Sequence, residues 1–315
     1  MIGIQEARAA REALAGKVHE TPLVGSATLS KLAGRPVFLK LESMQKTGSF
    51  KPRGALYNMM QLSEPHRRRG IVTISAGNHA QGAAWAARLL GIPAVVVMTA
   101  SASRIKVDAT RGYGAEVIQE ADIQKALERL ERERQEHGLT YVHPFDDENT
   151  ITGQATVGLE ILAQLPEVRD VVVGVGGGGL ISGVALAVKS LRPVARVIGV
   201  EPEGAAVMRL SLEQGSPARM PKCQTIADGL AAPFAGERTF EIVRAHVDEM
   251  LLVSDAEIRS AMRLLLSRCK LLAEPAGAAA LAAVLEGRVP GEGPVVAIVS
   301  GGNVDPAVLA DCLSG

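Results

Sequence analysis

The sequence has very few cysteines. Its 315 residues include only three, Cys223, Cys269 and Cys312, which lie far apart and form no CxxC pair. This scarcity argues against a disulfide framework and against a zinc site built from thiolates. The cysteine content therefore favours a reducing, cytoplasmic setting.

An excess of charge and a long apolar run are also lacking. The 34 basic and 34 acidic side chains cancel, so no overall positive field would attract nucleic acid or anionic lipid. The first twenty residues are typical of a short charged helix, and no apolar run approaches the roughly 18 residues that a membrane span needs. We expect no nucleic-acid partner, no membrane partner and no export signal.

Short β-branched runs alternate with longer alanine-rich segments of helical period from about residue 37 onward. Several of the runs are apolar throughout, as strands buried on both faces should be. This alternation predicts an α/β protein with parallel sheets flanked by helices. The predicted strands are VFLKL, IVTI, AVVVM, VVVGV, RVIGV and VVAIVS, and the predicted helices span 79–90, 102–112, 121–137, 152–164, 180–191 and 254–268.

Four segments rich in glycine or hydroxyl groups fall where a strand ends or a helix begins, the positions at which backbone N–H groups hold anions. In the first, TGSFKPRG at 47–54, Pro52 suits the first position of a helix, so Lys51 lies at a helix entrance. Spacing alone leaves two interpretations open. Lys51 is either a surface lysine or an amine held for covalent chemistry.

The second segment, SAGNHAQG at 75–82, follows the strand IVTI. Ser75 and Asn78 could simply cap the next helix. The combination of Gly77, Asn78 and His79 indicates more, because it supplies a tight turn, amide donors and an imidazole at one helix start. We expect this segment to bind a carboxylate.

The third segment, GVGGGGL at 174–180, exposes a row of backbone amides and predicts a phosphate site. It also matches the dinucleotide fingerprint through Gly174, Gly176 and Gly179, with Glu201 where a ribose-binding acid would fall. That fingerprint normally opens a nucleotide domain, whereas about 170 residues precede it here. The fourth segment, SGGN at 300–303, is either an exit turn or a turn that places Ser300 in a crevice.

In this order, SFKPRG, SAGNHAQG, VGGGGL and SGGN resemble the fold type II enzymes that use pyridoxal 5'-phosphate (PLP), specifically the threonine dehydratase and serine racemase family. The similarity extends from HETPLV near residue 19 through YVHPFDD, TIADG and LSRCKLLAEPAGA to IVSGGNVD. It therefore covers nearly the whole chain. It implies a fold like that of the tryptophan synthase β chain.

The resemblance also implies roles for individual residues. Lys51 would carry PLP as a Schiff base and remove the substrate Cα proton, and Ser75 would join it as a catalytic residue. Around the cofactor, Phe50 would pack on the ring, Asn78 would bind its phenolic oxygen, Gly176, Gly177, Gly178 and Gly179 would bind the phosphate, and Ser300 would meet the pyridine nitrogen. The substrate carboxylate would be held by Ser75, Asn78 and His79.

Two departures from the family narrow the expected activity. Racemase-like members carry a second serine where this chain has Ala76, and a methyl group cannot donate a proton, so we favour a dehydratase. Metal-binding members carry a second carboxylate where this chain has Val207, and Glu201 alone is a poor site for a hard cation, so we expect no metal. Relatives with a C-terminal regulatory region respond to isoleucine, and we expect no such control here.

The sequence therefore predicts a PLP-dependent ammonia-lyase that converts L-threonine, and also L-serine, to a 2-oxo acid and ammonia by α,β-elimination. The alternatives are a serine racemase, a dehydratase of hydroxyaspartate or phenylserine, an NAD-dependent oxidoreductase and a catalytically silent sensor. We expect a small mobile domain at 46–141 and a large domain formed by 1–45 and 142–315. A cytoplasmic homodimer or homotetramer is expected.

Overall fold

The computed structural model describes residues 2–314 and contains two β-sheets covered by helices. Among these residues no helix is long and apolar enough to cross a membrane. The strands are β1 (Leu23–Gly25), β2 (Val37–Leu41), β3 (Ile71–Ile74), β4 (Ala94–Thr99), β5 (Glu116–Glu120), β6 (Thr140–Tyr141), β7 (Asp170–Gly174), β8 (Arg196–Pro202), β9 (Glu249–Val253) and β10 (Val295–Val299).

Fourteen α-helices are assigned within residues 2–314. They are α1 (Ile4–Leu14), α2 (Ala27–Ala33), α3 (Lys51–Met60), α4 (Glu64–Arg69), α5 (Asn78–Leu90), α6 (Arg104–Gly112), α7 (Ile123–His137), α8 (Glu148–Gln164), α9 (Gly179–Leu191), α10 (Val207–Gln214), α11 (Glu237–His246), α12 (Asp255–Leu264), α13 (Pro275–Leu285) and α14 (Pro306–Leu313). The helix predicted at 254–268 is shorter than expected, because α12 ends at Leu264 and a π-helical turn follows over Leu265–Cys269.

The larger sheet has the strand order β1-β2-β10-β7-β8-β9 and the smaller sheet the order β5-β4-β3-β6. All pairs are parallel except β1 with β2, which are antiparallel. The predicted α/β fold with parallel sheets flanked by helices is confirmed, with this one antiparallel pair at the edge of the larger sheet. The exception is a three-residue strand, whose pairing on one side only places little demand on its direction.

The central strands of the larger sheet are buried on both faces. Along β10, Val295, Ala297 and Val299 belong to an apolar core with α13, whereas Val296 and Ile298 belong to a second core with α8 and α9. This division follows from the two-residue period of a strand, which directs alternate side chains to opposite faces. It explains why β10 is apolar throughout.

The ends of the strands bring distant segments together. The segments at 75–82, 174–180 and 300–303 follow the carboxyl ends of β3, β7 and β10, as predicted. Ser49 and Gly301 form an antiparallel bridge, and the Phe50 amide donates to the Ser300 carbonyl at 3.1 Å. These contacts place the lysine segment beside the last strand of the larger sheet.

Candidate active site

A cavity of about 580 Å³ lies where these segments meet. Its wall contains every residue that the sequence predicted for the site. These are Phe50, Lys51, Ser75, Asn78, His79, Gly176, Gly177, Gly178, Gly179 and Ser300. Four segments separated by up to about 250 positions in the chain thus converge on one space.

Lys51 begins α3, and Pro52 occupies the next position. Its Nζ donates a hydrogen bond to the Pro144 carbonyl at 2.8 Å and lies 5.1 Å from the centre of the Phe50 ring. Desolvation lowers the Lys51 pKa to about 8, and the nearby Glu274 opposes this shift. Roughly a tenth of the amine is therefore neutral and nucleophilic at pH 7, far more than for an ordinary lysine.

The segment after β3 supplies backbone donors at the start of α5. No backbone oxygen among residues 2–314 accepts from the amides of Asn78, His79 or Ala80, as is usual for the first turn of a helix. The Ser75 hydroxyl accepts from the Gly77 amide at 3.3 Å. This arrangement presents N–H groups and the positive end of a thirteen-residue helix to the cavity.

The His79 side chain is largely engaged with the protein scaffold. It is 3% exposed, and its Nε2 lies 3.0 Å from the Thr73 hydroxyl and 3.2 Å from the Val142 carbonyl. Burial, with the positive charge of Lys51 nearby, lowers the His79 pKa well below the usual value. The imidazole is neutral at physiological pH, and His79 offers the cavity its backbone amide.

The glycine segment links β7 to α9. Gly178 precedes the helix with φ of 92°, a conformation that favours glycine. A Cβ atom at Gly177 would lie 2.5 Å from the Phe145 ring, so no side chain fits there. Within the described chain, no backbone oxygen accepts from amides 176–181. These donors, at the start of a second thirteen-residue helix, suit a phosphate group.

Ser300 directly follows β10 and is 4% exposed. Its Oγ donates to the Ala276 carbonyl at 3.4 Å, a long and weak hydrogen bond. The hydroxyl can therefore turn towards a ligand in the cavity with little loss.

Sequence reasoning missed two residues of this cavity, Glu274 and Asn303. Glu274 precedes α13, is 4% exposed and accepts a hydrogen bond from Asn78 Nδ2 at 2.6 Å. Burial raises the Glu274 pKa to about 8. In the sequence, Glu274 lies in the family-like segment LSRCKLLAEPAGA and stands before a proline at a helix start, but neither feature assigns it a role at the site.

Glu201 does not lie at the cavity. It is fully buried, and its two carboxylate oxygens accept from the amides of Met208 and Arg209 at 2.8 and 2.9 Å. These bonds satisfy the first turn of α10, so the carboxylate is not free to hold a ribose. The dinucleotide interpretation of the glycine segment thus loses its acidic partner.

The donors around the cavity fit PLP: an amine for the aldehyde, a row of amides for the phosphate and a hydroxyl for the ring nitrogen. A model of the family described as pyridoxal-phosphate dependent enzymes matches residues 14–301. The chain belongs to this family. The family assignment confirms the predicted cofactor and overturns the NAD-dependent alternative.

The chain is also similar to individual proteins whose activities are known. The chain is 48% identical to an L-threonine ammonia-lyase of Thermotoga maritima over 97% of its own length and 76% of the relative's. Among solved structures, it is similar to a T.th. threonine deaminase with a TM-score of 0.92 and 43% identity, covering 96% of this chain and 99% of that one. The chain is also similar to maize serine racemase, with a TM-score of 0.94 and 39% identity, covering 98% of this chain and 96% of that one.

Proposed function

We propose that this protein is a PLP-dependent ammonia-lyase that converts L-threonine, and also L-serine, to a 2-oxo acid and ammonia. The observation that carries the proposal is the meeting of Lys51 with the starts of α5 and α9 at one cavity. The arrangement supplies a nucleophilic amine and two separate anion sites. The similarity to an L-threonine ammonia-lyase of Thermotoga maritima supports threonine as the substrate.

Five parts of the chain would hold the cofactor. The amides of 176–179 would receive the phosphate, Ser300 would meet the pyridine nitrogen, Asn78 would bind the phenolic oxygen, Phe50 would pack on the ring and Lys51 would hold the aldehyde group. When bound, PLP supplies an electron sink for negative charge at the substrate Cα. A hydroxyl at the ring nitrogen, in place of a carboxylate, leaves the ring less cationic and suits elimination better than transamination.

The substrate would be oriented by its carboxylate. The free amides at the start of α5, including that of His79, and the Ser75 hydroxyl hold this group beside Lys51. Once the substrate amine displaces Lys51 from the cofactor, the freed Lys51 amine would accept the Cα proton as a general base, and its lowered pKa keeps it able to do so near neutral pH. The β-hydroxyl would leave with a proton as water, and hydrolysis of the unsaturated product would give the 2-oxo acid and ammonia.

Racemisation is the second candidate, because of the similarity to maize serine racemase. Ala76 lies in the cavity wall, between Ser75 and Gly77. Its methyl group has no proton to deliver to the face of Cα opposite the lysine. This absence of a second acid favours elimination.

The cavity wall also indicates which substrate side chains the site prefers. It carries the hydroxyls of Thr99, Ser101 and Ser103, which suit a small hydroxylated side chain better than the phenyl group of phenylserine. Lys106, the cation that could meet the second carboxylate of hydroxyaspartate, is already paired with Asp228. Both features support threonine or serine.

We further propose that residues 46–141 form a small mobile domain and that 1–45 and 142–315 form a large one. In support, all four strands of the smaller sheet lie within 71–141 and all six strands of the larger sheet lie outside that range. Closure of one domain on the other would exclude water from the cavity.

We also propose a cytoplasmic homodimer or homotetramer. The three unpaired cysteines support a reducing compartment. The exposed Leu191 and Val194 support contact with another subunit. Light scattering during size-exclusion chromatography would give the mass of the assembly.

The test is release of 2-oxobutanoate from L-threonine by PLP-loaded protein, with D-serine formation from L-serine measured in parallel. We expect 2-oxobutanoate release and little D-serine. Lys51→Ala should abolish both the visible absorbance of bound cofactor and turnover. Lys46→Ala, which changes an amine in the preceding turn outside the cavity wall, is the matched control and should retain both.

A bound chromophore without turnover of threonine would refute the proposed substrate and leave the family intact. Full activity in Lys51→Ala would refute the proposed mechanism.

A further inference from the structure

A chain of hydrogen bonds at the cavity joins the Thr47 carbonyl to Asn303, Asn78 and Glu274. Asn303 Nδ2 donates to the Thr47 oxygen at 2.6 Å and to Asn78 Oδ1 at 2.8 Å. Asn78 Nδ2 in turn donates to Glu274 Oε1 at 2.6 Å. Four separate parts of the sequence thus meet in one network.

The chemistry of these groups fixes the orientation of both side-chain amides. The Thr47 carbonyl can only accept, so the Asn303 atom beside it must be the nitrogen. The second hydrogen of that nitrogen meets Asn78, so the nearest Asn78 atom must be its oxygen. The Asn78 nitrogen then meets the Glu274 carboxyl group. The order of donors therefore allows one of the two possible flips of the Asn78 amide.

The backbone at Thr47 and Gly48, which contacts Asn303, has an unusual conformation that allows these hydrogen bonds. Thr47 has φ of 59°, which is unfavourable for a β-branched residue. Gly48 follows with φ of 74°, and a Cβ atom there would lie 2.5 Å from Asn303 Oδ1. A costly conformation that delivers a carbonyl to one side chain indicates that this contact has a function.

We propose that Asn303 is a positioning residue that locks the Asn78 amide with its nitrogen, and not its oxygen, available to the ring oxygen of PLP. The inference rests on the proposed function. One N–H of Asn78 is used by Glu274, and the second remains for a ligand because Asn78 lines the cavity. A flipped amide would bring the side-chain nitrogens of Asn78 and Asn303 together, and these two donors would repel each other.

The proposal is tested by cofactor binding, without turnover. Dissociation constants are measured by absorbance for PLP and for 3-deoxypyridoxal 5'-phosphate, which lacks the ring oxygen. Asn303→Asp replaces the donor with an acceptor of the same shape, and Asn303→Ala removes the donor without adding charge. We expect each to weaken PLP binding roughly tenfold, the effect of about one lost hydrogen bond. The analogue should bind Asn303→Ala as it binds the wild type.

A control variant and the PLP analogue distinguish the proposed role of Asn303 from a general effect on the cavity. Asn149→Asp changes an asparagine of α8 outside the cavity wall and should bind both compounds normally. Equal losses for PLP and for the analogue in both Asn303 variants, or no loss in either, would overturn the proposed role of Asn303. A wild-type protein that binds neither compound would instead overturn the proposed function itself.

Discussion

Glu274 has a buried carboxyl group, and its charge is the one that most directly affects the pKa of Lys51. Desolvation lowers the Lys51 pKa to about 8, and the negative charge that Glu274 gains as the pH rises through its own pKa of about 8 opposes this shift. Only the neutral amine attacks the cofactor aldehyde, so the rate of PLP capture should rise with pH through about 8. The pH midpoint thus reports the local charge at the amine.

Glu274→Gln should shift this midpoint to lower pH, because it removes a charge that favours protonated Lys51. Stopped-flow absorbance at several pH values would measure the capture rate of each protein. Glu237→Gln is the control, because Glu237 lies outside the cavity wall, and it should leave the midpoint unchanged. A midpoint that moves upward in Glu274→Gln would contradict this account of the electrostatics.

In the proposed mechanism, the residue at position 76 determines whether elimination or racemisation occurs, and Ala76 favours elimination. Ala76→Ser places a hydroxyl in the cavity wall and supplies a possible proton donor for the second face of Cα. We expect the ratio of D-serine formed to pyruvate formed to rise at least severalfold, as chiral chromatography would measure. Ala102→Ser, which adds a hydroxyl elsewhere in the same wall, should leave the ratio unchanged. An unchanged ratio in Ala76→Ser would show that another residue determines the outcome.

The sequence could predict a residue of the site where a local pattern around that residue indicated its role. Lys51, Asn78 and the glycine segment stand at helix starts beside turn residues, and a helix start implies free amides. Glu274 and Asn303 lie in the segments LSRCKLLAEPAGA and SGGN, but no local pattern there indicates that either contacts Asn78. Their positions depend on contacts with Asn78 across 196 and 225 residues, which only the folded chain reveals.

Among the elements, α3 connects the active site to both sheets. It lies between α5 and α8 and approaches each at a glycine. A Cβ atom at Gly82 would lie 3.0 Å from Lys51 Cβ, and one at Gly153 would lie 2.6 Å from the Arg53 carbonyl. Arg53 is fully buried and donates to Glu160 of α8 at 2.5 Å. The helix that carries the lysine is therefore held closely against α8.

Gly153→Ala should destabilise the protein by about 1–3 kcal/mol, because the added methyl group meets backbone atoms of α3 that cannot turn aside. The midpoint of urea unfolding would measure the loss. Gly112→Ala is the matched control, since nothing lies within 4 Å of the added Cβ atom at that helical position. It should be neutral or stabilise by up to about 1 kcal/mol. Equal midpoints for the two variants would contradict the close packing of α3 on α8.

The strands show which elements the sequence could predict. All six predicted strands, β2, β3, β4, β7, β8 and β10, are interior strands with a neighbour on each side. The four that were missed, β1, β5, β6 and β9, are the edge strands of the two sheets. An interior strand is largely buried on both faces and contains an apolar run, whereas the edge strand β5 has two exposed residues, Glu116 and Gln119, and gives no such run.

At the scale of the whole molecule, an ion pair connects the two sheets across the cavity. Lys106 of α6 pairs with Asp228, which lies in the segment between β8 and β9, and both residues line the cavity. The Asp228 side chain is 62% exposed, so the pair contributes at most about 1 kcal/mol. That is too little to decide the fold, but it is enough to bias opening of a proposed mobile domain by roughly fivefold.

Asp228→Asn should therefore increase hydrogen exchange of the α6 amides by up to roughly fivefold, with a loss of at most about 1 kcal/mol in the free energy of unfolding measured by urea. Asp108→Asn is the matched control, because Asp108 pairs with Arg104 within α6 and not across the cavity. High salt should bring the wild type towards Asp228→Asn, since exposed pairs are screened. If exchange in α6 rises equally in Asp108→Asn, the effect belongs to the helix alone. If it rises only in Asp228→Asn, the ion pair restrains the smaller sheet against the larger one.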